Sequence, residues 1–224
     1  MRHLLLATDA RCYVSLGDAQ SRNPLGVVGA ASGFYNRLVA VEPGAKMVPL
    51  ATDGGTAATV RYVQLPRLFA INIAPSVLTI TLGAGDVSRM AFGDAASVCA
   101  ELADHGRAVL GAVRRAFPRC VVLLATLYDP MDGADAVLAG GVTRFNSTLL
   151  ALAVAHGCRV ADACAAFGGH GAGAGDPLTS DVSPPNADLY LCAGSDLVPV
   201  PNAHGAAIYA DALWAAYTET VFPI

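Results

Sequence analysis

Short, β-branched apolar runs alternate along this chain with longer segments of helical periodicity. The runs SVLTITLG (Ser76–Gly83) and CVVLLATL (Cys120–Leu127) are apolar over almost their whole length, which is typical of strands covered on both faces. Strands separated by helices form βαβ units, and such units build a parallel sheet with helices on both sides. The alternation therefore predicts an α/β fold.

Five strands and five main helices are predicted, all within one domain of 224 residues. The strands are expected at 12–16, 46–51, 76–83, 120–127 and 158–162. The helices are expected at 30–40, 57–65, 94–117, 141–157 and 202–222. Asp94 is a suitable N-cap for the third helix, and Gly157 ends the fourth.

The residues directly after each strand are the informative ones, because ligands of such sheets bind outside the carboxyl ends of the strands. They are Gly17–Ala19, Ala51–Gly55, Gly83–Asp86 and the loop before the last helix. The segment from Phe167 to Asn202 precedes that helix and is rich in Gly, Pro, Asp and Ser. Loops this long are usually functional or disordered, so either a lid or a merely mobile loop is expected.

Composition excludes several classes of partner. The net charge is −4 and the arginines form no large basic cluster, so nucleic-acid binding is not expected. No run has the length and composition expected of a membrane span or a secretory signal, which predicts a cytoplasmic protein. Only 14% of the residues are charged and 54% are hydrophobic. This indicates a large core and leaves open a homo-oligomer formed through an apolar surface.

Cysteines and histidines give no sign of a metal or cofactor. No pair among the six cysteines has zinc-ligand or redox-motif spacing, so buried free thiols are expected. The five histidines form no ligand pattern. The segment GAGD resembles part of a dinucleotide fingerprint, but Ser88 occupies the position of the third glycine. No cofactor is therefore predicted.

The order and spacing of the post-strand motifs resemble those of the SGNH (GDSL-type) hydrolases over nearly the whole chain. The motifs are LGDAQS after the first strand, LATDGGT after the second, LGAGDV after the third and VPNAHG before the last helix. The resemblance implies a three-layer, flavodoxin-like α/β/α fold with a five-stranded parallel sheet. It also implies a relationship to enzymes that hydrolyse esters, thioesters or amides.

The match to the family fails where its chemistry would lie. The serine of the first block falls on Ala19 and the asparagine of the third block falls on Gly85. The histidine of the last block falls on Val200, and Asp196 lies four residues before it rather than three. Loss of the serine or histidine of a hydrolytic triad costs on the order of 10⁶ in rate. Ordinary hydrolysis through this site is therefore not expected.

Other parts of the family's site are retained. The resemblance places the glycine of the second block on Gly54, so backbone N–H groups of Ala19 and Gly54 remain available to polarise a carbonyl oxygen. Asp86 keeps the aspartate of the third block. The substitutions at Ala19, Gly85 and Val200 imply a roomier, more apolar pocket for a small ligand, with Asp196 at its edge.

Two aspartates are the candidate catalytic groups. Asp18 and Asp86 are hypothesised to move protons, because a carboxyl group in an apolar pocket can have a pKa near neutrality. The alternative is that each simply holds a turn by accepting backbone hydrogen bonds. Ser21 is either a substitute nucleophile or a solvated turn residue, and His204 is either a displaced base or an exposed or capping residue.

Three classes of function follow from these residues. The first is a non-hydrolytic enzyme, such as a cyclase, isomerase or dehydratase, acting on a carbonyl-bearing small molecule. The second is a pseudoenzyme that binds a ligand or partner without chemistry. The third is an esterase with a relocated nucleophile.

Overall fold

A five-stranded parallel sheet with the strand order β2-β1-β3-β4-β5 forms the centre of the protein. The structure is a computed structural model that describes residues 11–22, 29–170, 191–192 and 200–221. The strands are Cys12–Gly17 (β1), Lys46–Pro49 (β2), Val77–Thr81 (β3), Val121–Ala125 (β4) and Arg159–Ala161 (β5). All five predicted strands are present, and most end one to three residues inside the predicted limits.

Helices lie on both sides of this sheet. They are Ala19–Arg22 (α1), Ala30–Val41 (α2), Ala57–Thr59 (α3), Leu65–Ala70 (α4), Val87–Ala91 (α5), Ala95–Ala116 (α6), Ala136–His156 (α7), Ala163–Ala166 (α8) and Ala203–Val221 (α9). A π-helical segment, Val60–Gln64, joins α3 to α4, and a 3₁₀ turn, Ala84–Asp86, precedes α5. The predicted α/β/α architecture is confirmed.

The core has two halves, one on each face of the sheet. Val14, Leu78 and Leu124 face the side covered by α6 and α7. Tyr13, Val77 and Leu123 face the side covered by α2 and α9. Because successive residues of these strands point to opposite faces, both faces need apolar residues. This explains the nearly continuous apolar runs in the sequence.

One predicted helix start and one predicted helix cap differ from the structure. Helix α7 begins five residues before the predicted Gly141, because the Asp135 carboxylate accepts hydrogen bonds from the N–H groups of Val137 and Leu138. Asp94 precedes α6 as predicted, but its side chain does not cap the helix. Its carboxylate instead accepts from Arg89. Gly157 ends α7 with a left-handed backbone, as predicted.

Helix α7 is long and apolar enough to cross a membrane by length and composition alone, although nearly half of it is buried within the protein. It packs on α6 over the sheet. A core helix of a folded domain passes the same test, so this feature is weak evidence for a membrane span.

Most of the segment from Phe167 to Asn202 lies outside the described residues. Two short strands from it are described, Leu191–Cys192 (β6) and Val200–Pro201 (β7), and they pair antiparallel. The segment therefore contains more regular structure than was predicted. Its predicted role as a lid stays a prediction.

Candidate functional site

The loops after the first three strands meet at the carboxyl edge of the sheet. Gly17 has φ +115°, and a Cβ atom there would lie 1.8 Å from the Thr81 carbonyl oxygen. A Cβ at Gly55 would lie 2.4 Å from the Gly17 carbonyl oxygen, and one at Gly85 would lie 2.9 Å from the Gly54 carbonyl oxygen. Glycines at these positions thus allow three loops to touch. The three loops that carry most of the predicted site residues therefore meet at this edge, and the roles predicted for those residues stay predictions.

Ala19 is the first residue of α1 and is 7% exposed. Its methyl group has no proton to give and no lone pair with which to attack a carbonyl. Within the described ranges, no hydrogen bond occupies the N–H of Ala19 or of Gly54. Both N–H groups therefore have no hydrogen-bond acceptor among the described residues.

Asp18 is fully buried at the end of β1. Its Oδ2 accepts a hydrogen bond from the Ala84 N–H at 2.9 Å, and its Oδ1 accepts from the Thr81 hydroxyl at 2.8 Å and the Gln20 N–H at 3.1 Å. Burial raises the pKa of Asp18, while these donors oppose the increase. This arrangement ties the first loop to the third and fits the turn-holding alternative. A catalytic role for Asp18 stays untested.

Ser21 lies in the same hydrogen-bond network. Its hydroxyl is 3.0 Å from the Thr81 hydroxyl, and the residue is only 1% exposed. The expectation of a solvated turn residue is wrong, because α1 turns this side chain inward. Since the described contacts of Ser21 include no histidine, the structure offers no activation for Ser21 as a nucleophile.

Gln64 holds the first loop from the other side. Its Oε1 accepts from the Gly17 N–H at 2.7 Å, and its Nε2 donates to the Gly17 carbonyl at 2.7 Å and to Thr52 Oγ1 at 3.0 Å. The π-helical segment brings this side chain under the loops. No sequence pattern indicated Gln64, because the clamp depends on contact between distant segments.

Asp86 closes the 3₁₀ turn after β3 and is 5% exposed. Its Oδ1 lies 3.6 Å from Nη1 of Arg89, three residues further along the chain. Burial raises the pKa of Asp86 to about 6, with the charge of Arg89 opposing the increase and those of Asp18 and Glu101 adding to it. A group with this pKa changes its protonation state close to neutral pH.

The space around Gly85 is more closely filled than was expected. A Cβ atom at Gly85 would lie within 3.0 Å of the Gly54 carbonyl oxygen, so a larger residue there would require the second loop to shift. A cavity of about 20 Å³ lies in the core, lined by apolar residues such as Ile80, Leu82 and Leu102. Neither feature is the roomy pocket predicted at Gly85.

The last block is only partly described. Val200 lies in β7, which contacts both α1 and the final helix, so it is close to the loop that carries Ala19. Asn202 Oδ1 accepts from the Gly205 N–H at the start of α9. His204 is exposed in the first turn of that helix. Asp196 lies outside the described residues.

Metal-binding clusters of three or more His, Cys, Asp or Glu side chains are not found in the part of the chain that the structure describes. Cys12, Cys99, Cys120, Cys158 and Cys164 are free thiols, of which Cys99 and Cys120 are buried. That the protein uses neither a metal nor a cofactor stays a prediction.

Comparison with solved structures identifies the fold. An extracellular lipase from Streptomyces rimosus has a TM-score of 0.66 and 20% identity, with 92% of this chain and 100% of that chain covered. A member of the lipolytic G-D-S-L family from Veillonella parvula gives 0.64 and 16%, covering 93% and 99%. A serine-to-alanine catalytic mutant of Axe2, an acetylxylan esterase from Geobacillus stearothermophilus, gives 0.64 and 19%, covering 92% and 93%.

This chain has the SGNH-hydrolase fold. No family model matches its sequence, and no curated protein matches it significantly. At 16–20% identity the three neighbours show the shared fold and not a shared reaction. The function of this chain therefore depends on the chemistry of its own site.

Proposed function

We propose that this SGNH-fold protein is a non-hydrolytic enzyme in which Asp86 serves as acid and base on a carbonyl-bearing, largely apolar small molecule. One observation carries the proposal: a nearly buried carboxyl group lies where the loops meet, and burial raises its pKa to about 6. Proton transfer is most efficient when the pKa of the catalytic group lies near the working pH.

The reaction uses the two unoccupied backbone donors. The Asp86 carboxylate takes a proton from the carbon next to the ligand's carbonyl group. The electron pair of that C–H bond forms a carbon–carbon double bond, and the π electron pair of the carbonyl group moves onto its oxygen. The N–H groups of Ala19 and Gly54 stabilise the resulting oxyanion. Return of the proton to another atom completes an isomerisation, and loss of a β-hydroxyl group as water completes a dehydration.

The contacts of Asp18 and Ser21 support structural roles for both residues in this proposal. Asp18 accepts three hydrogen bonds and has no exposed surface, so it holds the loops rather than meeting the ligand. Ser21 is buried against Thr81. These contacts favour proton transfer through Asp86 over an esterase with a relocated nucleophile.

A pseudoenzyme is the second candidate, and the close approach of Gly54 to Gly85 favours it. A second loop this close to Gly85 leaves less room for a reacting group beside that residue. In this case the donors of Ala19 and Gly54 bind a ligand's oxygen atom without any chemistry following.

The expected partner is a small molecule rather than nucleic acid or a membrane. The net charge of −4 and the lack of a large basic cluster support this proposal. A cytoplasmic location is proposed on the same sequence grounds as above, and a homo-oligomer remains open.

Proton exchange next to a carbonyl group tests the function whatever product the natural reaction yields. Cyclohexanone and acetophenone are incubated with the protein in D₂O, and NMR follows the loss of the proton signals next to the carbonyl. We expect the wild type to accelerate exchange and Asp86→Asn to lose about 10²-fold or more. Asp53→Asn, an exposed residue of the second loop, is the matched control.

Each other outcome rejects the proposal. Equal exchange by wild type and Asp86→Asn removes Asp86 from the reaction. Saturable binding of the ketones without exchange favours the pseudoenzyme. Hydrolysis of acyl esters together with covalent labelling by a fluorophosphonate favours a relocated nucleophile.

A further inference from the structure

Arg89 is held at the edge of the site by two carboxylates from the start of α6. Its Nε and Nη2 donate to Asp94 Oδ2 at 3.2 and 2.8 Å. Its Nη1 and Nη2 donate to the two oxygens of Glu101, both at 2.9 Å. Two-pronged pairs of this kind fix the plane of a guanidinium as well as its position.

One N–H group of the Arg89 guanidinium is left over by these hydrogen bonds. A guanidinium has five N–H groups, and the four bonds to Asp94 and Glu101 use four of them. The fifth is on Nη1, whose distance to Asp86 Oδ1 is 3.6 Å. That distance is longer than a hydrogen bond but short enough for strong electrostatic attraction.

We propose that Arg89 is a positioning residue for Asp86, fixed by Asp94 and Glu101 so that its charge sets the orientation and protonation of the Asp86 carboxyl group. The importance of this role for turnover rests on the proposed function of Asp86. The geometry itself does not, since it concerns the protein without any ligand.

The charges around Asp86 come from three elements. Arg89 lies on α5, Asp94 directly precedes α6, Glu101 lies in the second turn of α6, and Asp18 directly follows β1. Arg89 lowers the pKa of Asp86, and Glu101 and Asp18 raise it. Among these described groups, Arg89 is therefore the one cation that favours ionisation of Asp86, and the other three groups are carboxyl groups.

Replacing Arg89 and replacing Glu101 should shift the pKa of Asp86 in opposite directions. Arg89→Met removes the cation and leaves Asp86 among carboxylates, so its pKa should rise by about one unit or more. Glu101→Gln removes an anion and frees Nη1 of Arg89, so the pKa of Asp86 should fall. If Arg89 and Glu101 only supported the fold, the two variants would not change the pKa of Asp86 in opposite directions.

NMR titration of the ¹³C-labelled Asp86 carboxyl group measures this directly, with Asp86→Asn used to assign the signal. The wild type, Arg89→Met, Arg89→Lys and Glu101→Gln are compared after urea unfolding has shown that each is folded. Arg89→Lys keeps the charge but not the two-pronged geometry, so it should fall between wild type and Arg89→Met. Arg144→Met, at an exposed arginine of α7, should change nothing.

Two results would overturn the inference: an unchanged Asp86 titration in folded Arg89→Met, or shifts of the same sign in Arg89→Met and Glu101→Gln. If Arg89→Met fails to fold, the other two variants decide: the pKa of Asp86 should fall in Glu101→Gln and rise in Arg89→Lys. Opposite shifts with no proton exchange by the wild type would leave Arg89 as a positioning residue and reject the proposed reaction. Proton exchange that depends on Asp86 but not on Arg89 would support the proposed reaction and reject Arg89 as a positioning residue for it.

Discussion

Asp86→Asn should stabilise the protein at neutral pH, although it removes a group at the centre of the site. Burial raises the pKa of Asp86 from 3.8 to about 6, so the folded state holds this proton more tightly than the unfolded chain does. Ionising Asp86 therefore costs folding free energy. A difference of about two pH units corresponds to about 3 kcal/mol.

The sign of the pH dependence follows from linkage. Well below pH 3.8 the carboxyl group is protonated in both states, and its ionisation costs nothing. As pH rises towards about 6 the unfolded state loses the proton first, so stability falls, and above about 6 the full cost is present. The advantage of Asp86→Asn should grow from about 1 kcal/mol at about pH 4.5 to about 3 kcal/mol at about pH 7.5.

Urea unfolding at pH 4.5, 6 and 7.5 measures the free energy of unfolding of both proteins. Asp53→Asn, at an exposed aspartate, is the control and should differ from wild type by less than about 0.5 kcal/mol at every pH. In a thermal melt at pH 7.5, the same change should raise the Tm of Asp86→Asn by roughly 6 °C or more. A variant that is less stable than wild type at pH 7.5, or equally shifted at all three pH values, would refute the reasoning.

Three further substitutions test the arrangement of the loops, each by urea unfolding. Asp18→Asn should lower the free energy of unfolding by about 1–3 kcal/mol, because Asp18, unlike Asp86, accepts hydrogen bonds at both oxygens and an amide nitrogen cannot accept, a loss that outweighs the relief of burying no charge; an unchanged or higher value would contradict the turn-holding role. Gly85→Ala should cost about 1–3 kcal/mol through contact with the Gly54 carbonyl, whereas Gly140→Ala, with open space around its Cβ, should not destabilise; equal effects would contradict the close approach. Gln64→Leu should cost about 1–3 kcal/mol by leaving the buried Gly17 N–H unpaired, whereas the Gly17 carbonyl still accepts from the Thr52 N–H, and a loss below about 0.5 kcal/mol would remove Gln64 from the support of the loop.

The sequence predicted the fold well because each strand is marked by an apolar run between turn residues. The limits were less accurate, since apolar residues such as Leu82 and Leu127 continue past the strands and are buried in loops. The start of α7 was missed because Gly140 and Gly141 look like a break. Gly141 is instead a contact point, where a Cβ would lie 3.0 Å from the Cβ of Met90.

The candidate site was predictable only in part. The meeting of the loops that follow β1, β2 and β3, at Gly17, Gly55 and Gly85, follows from parallel strands whose carboxyl ends share one edge. The clamp by Gln64 and the buried bonds of Ser21 depend on tertiary contacts that no local pattern reports. Arg89 had a local signal, its three-residue spacing from Asp86, but its two other partners come from the next helix.

Intact-mass analysis shows whether this SGNH fold lacks a serine nucleophile, on which the proposed chemistry depends. The protein is exposed to a fluorophosphonate and assayed in parallel with a generic acyl ester. We predict no mass increase and no ester turnover, because Ala19 carries no hydroxyl group and Ser21 is buried against Thr81. A stoichiometric adduct with matching loss of ester turnover would reveal a hidden nucleophile and contradict this prediction.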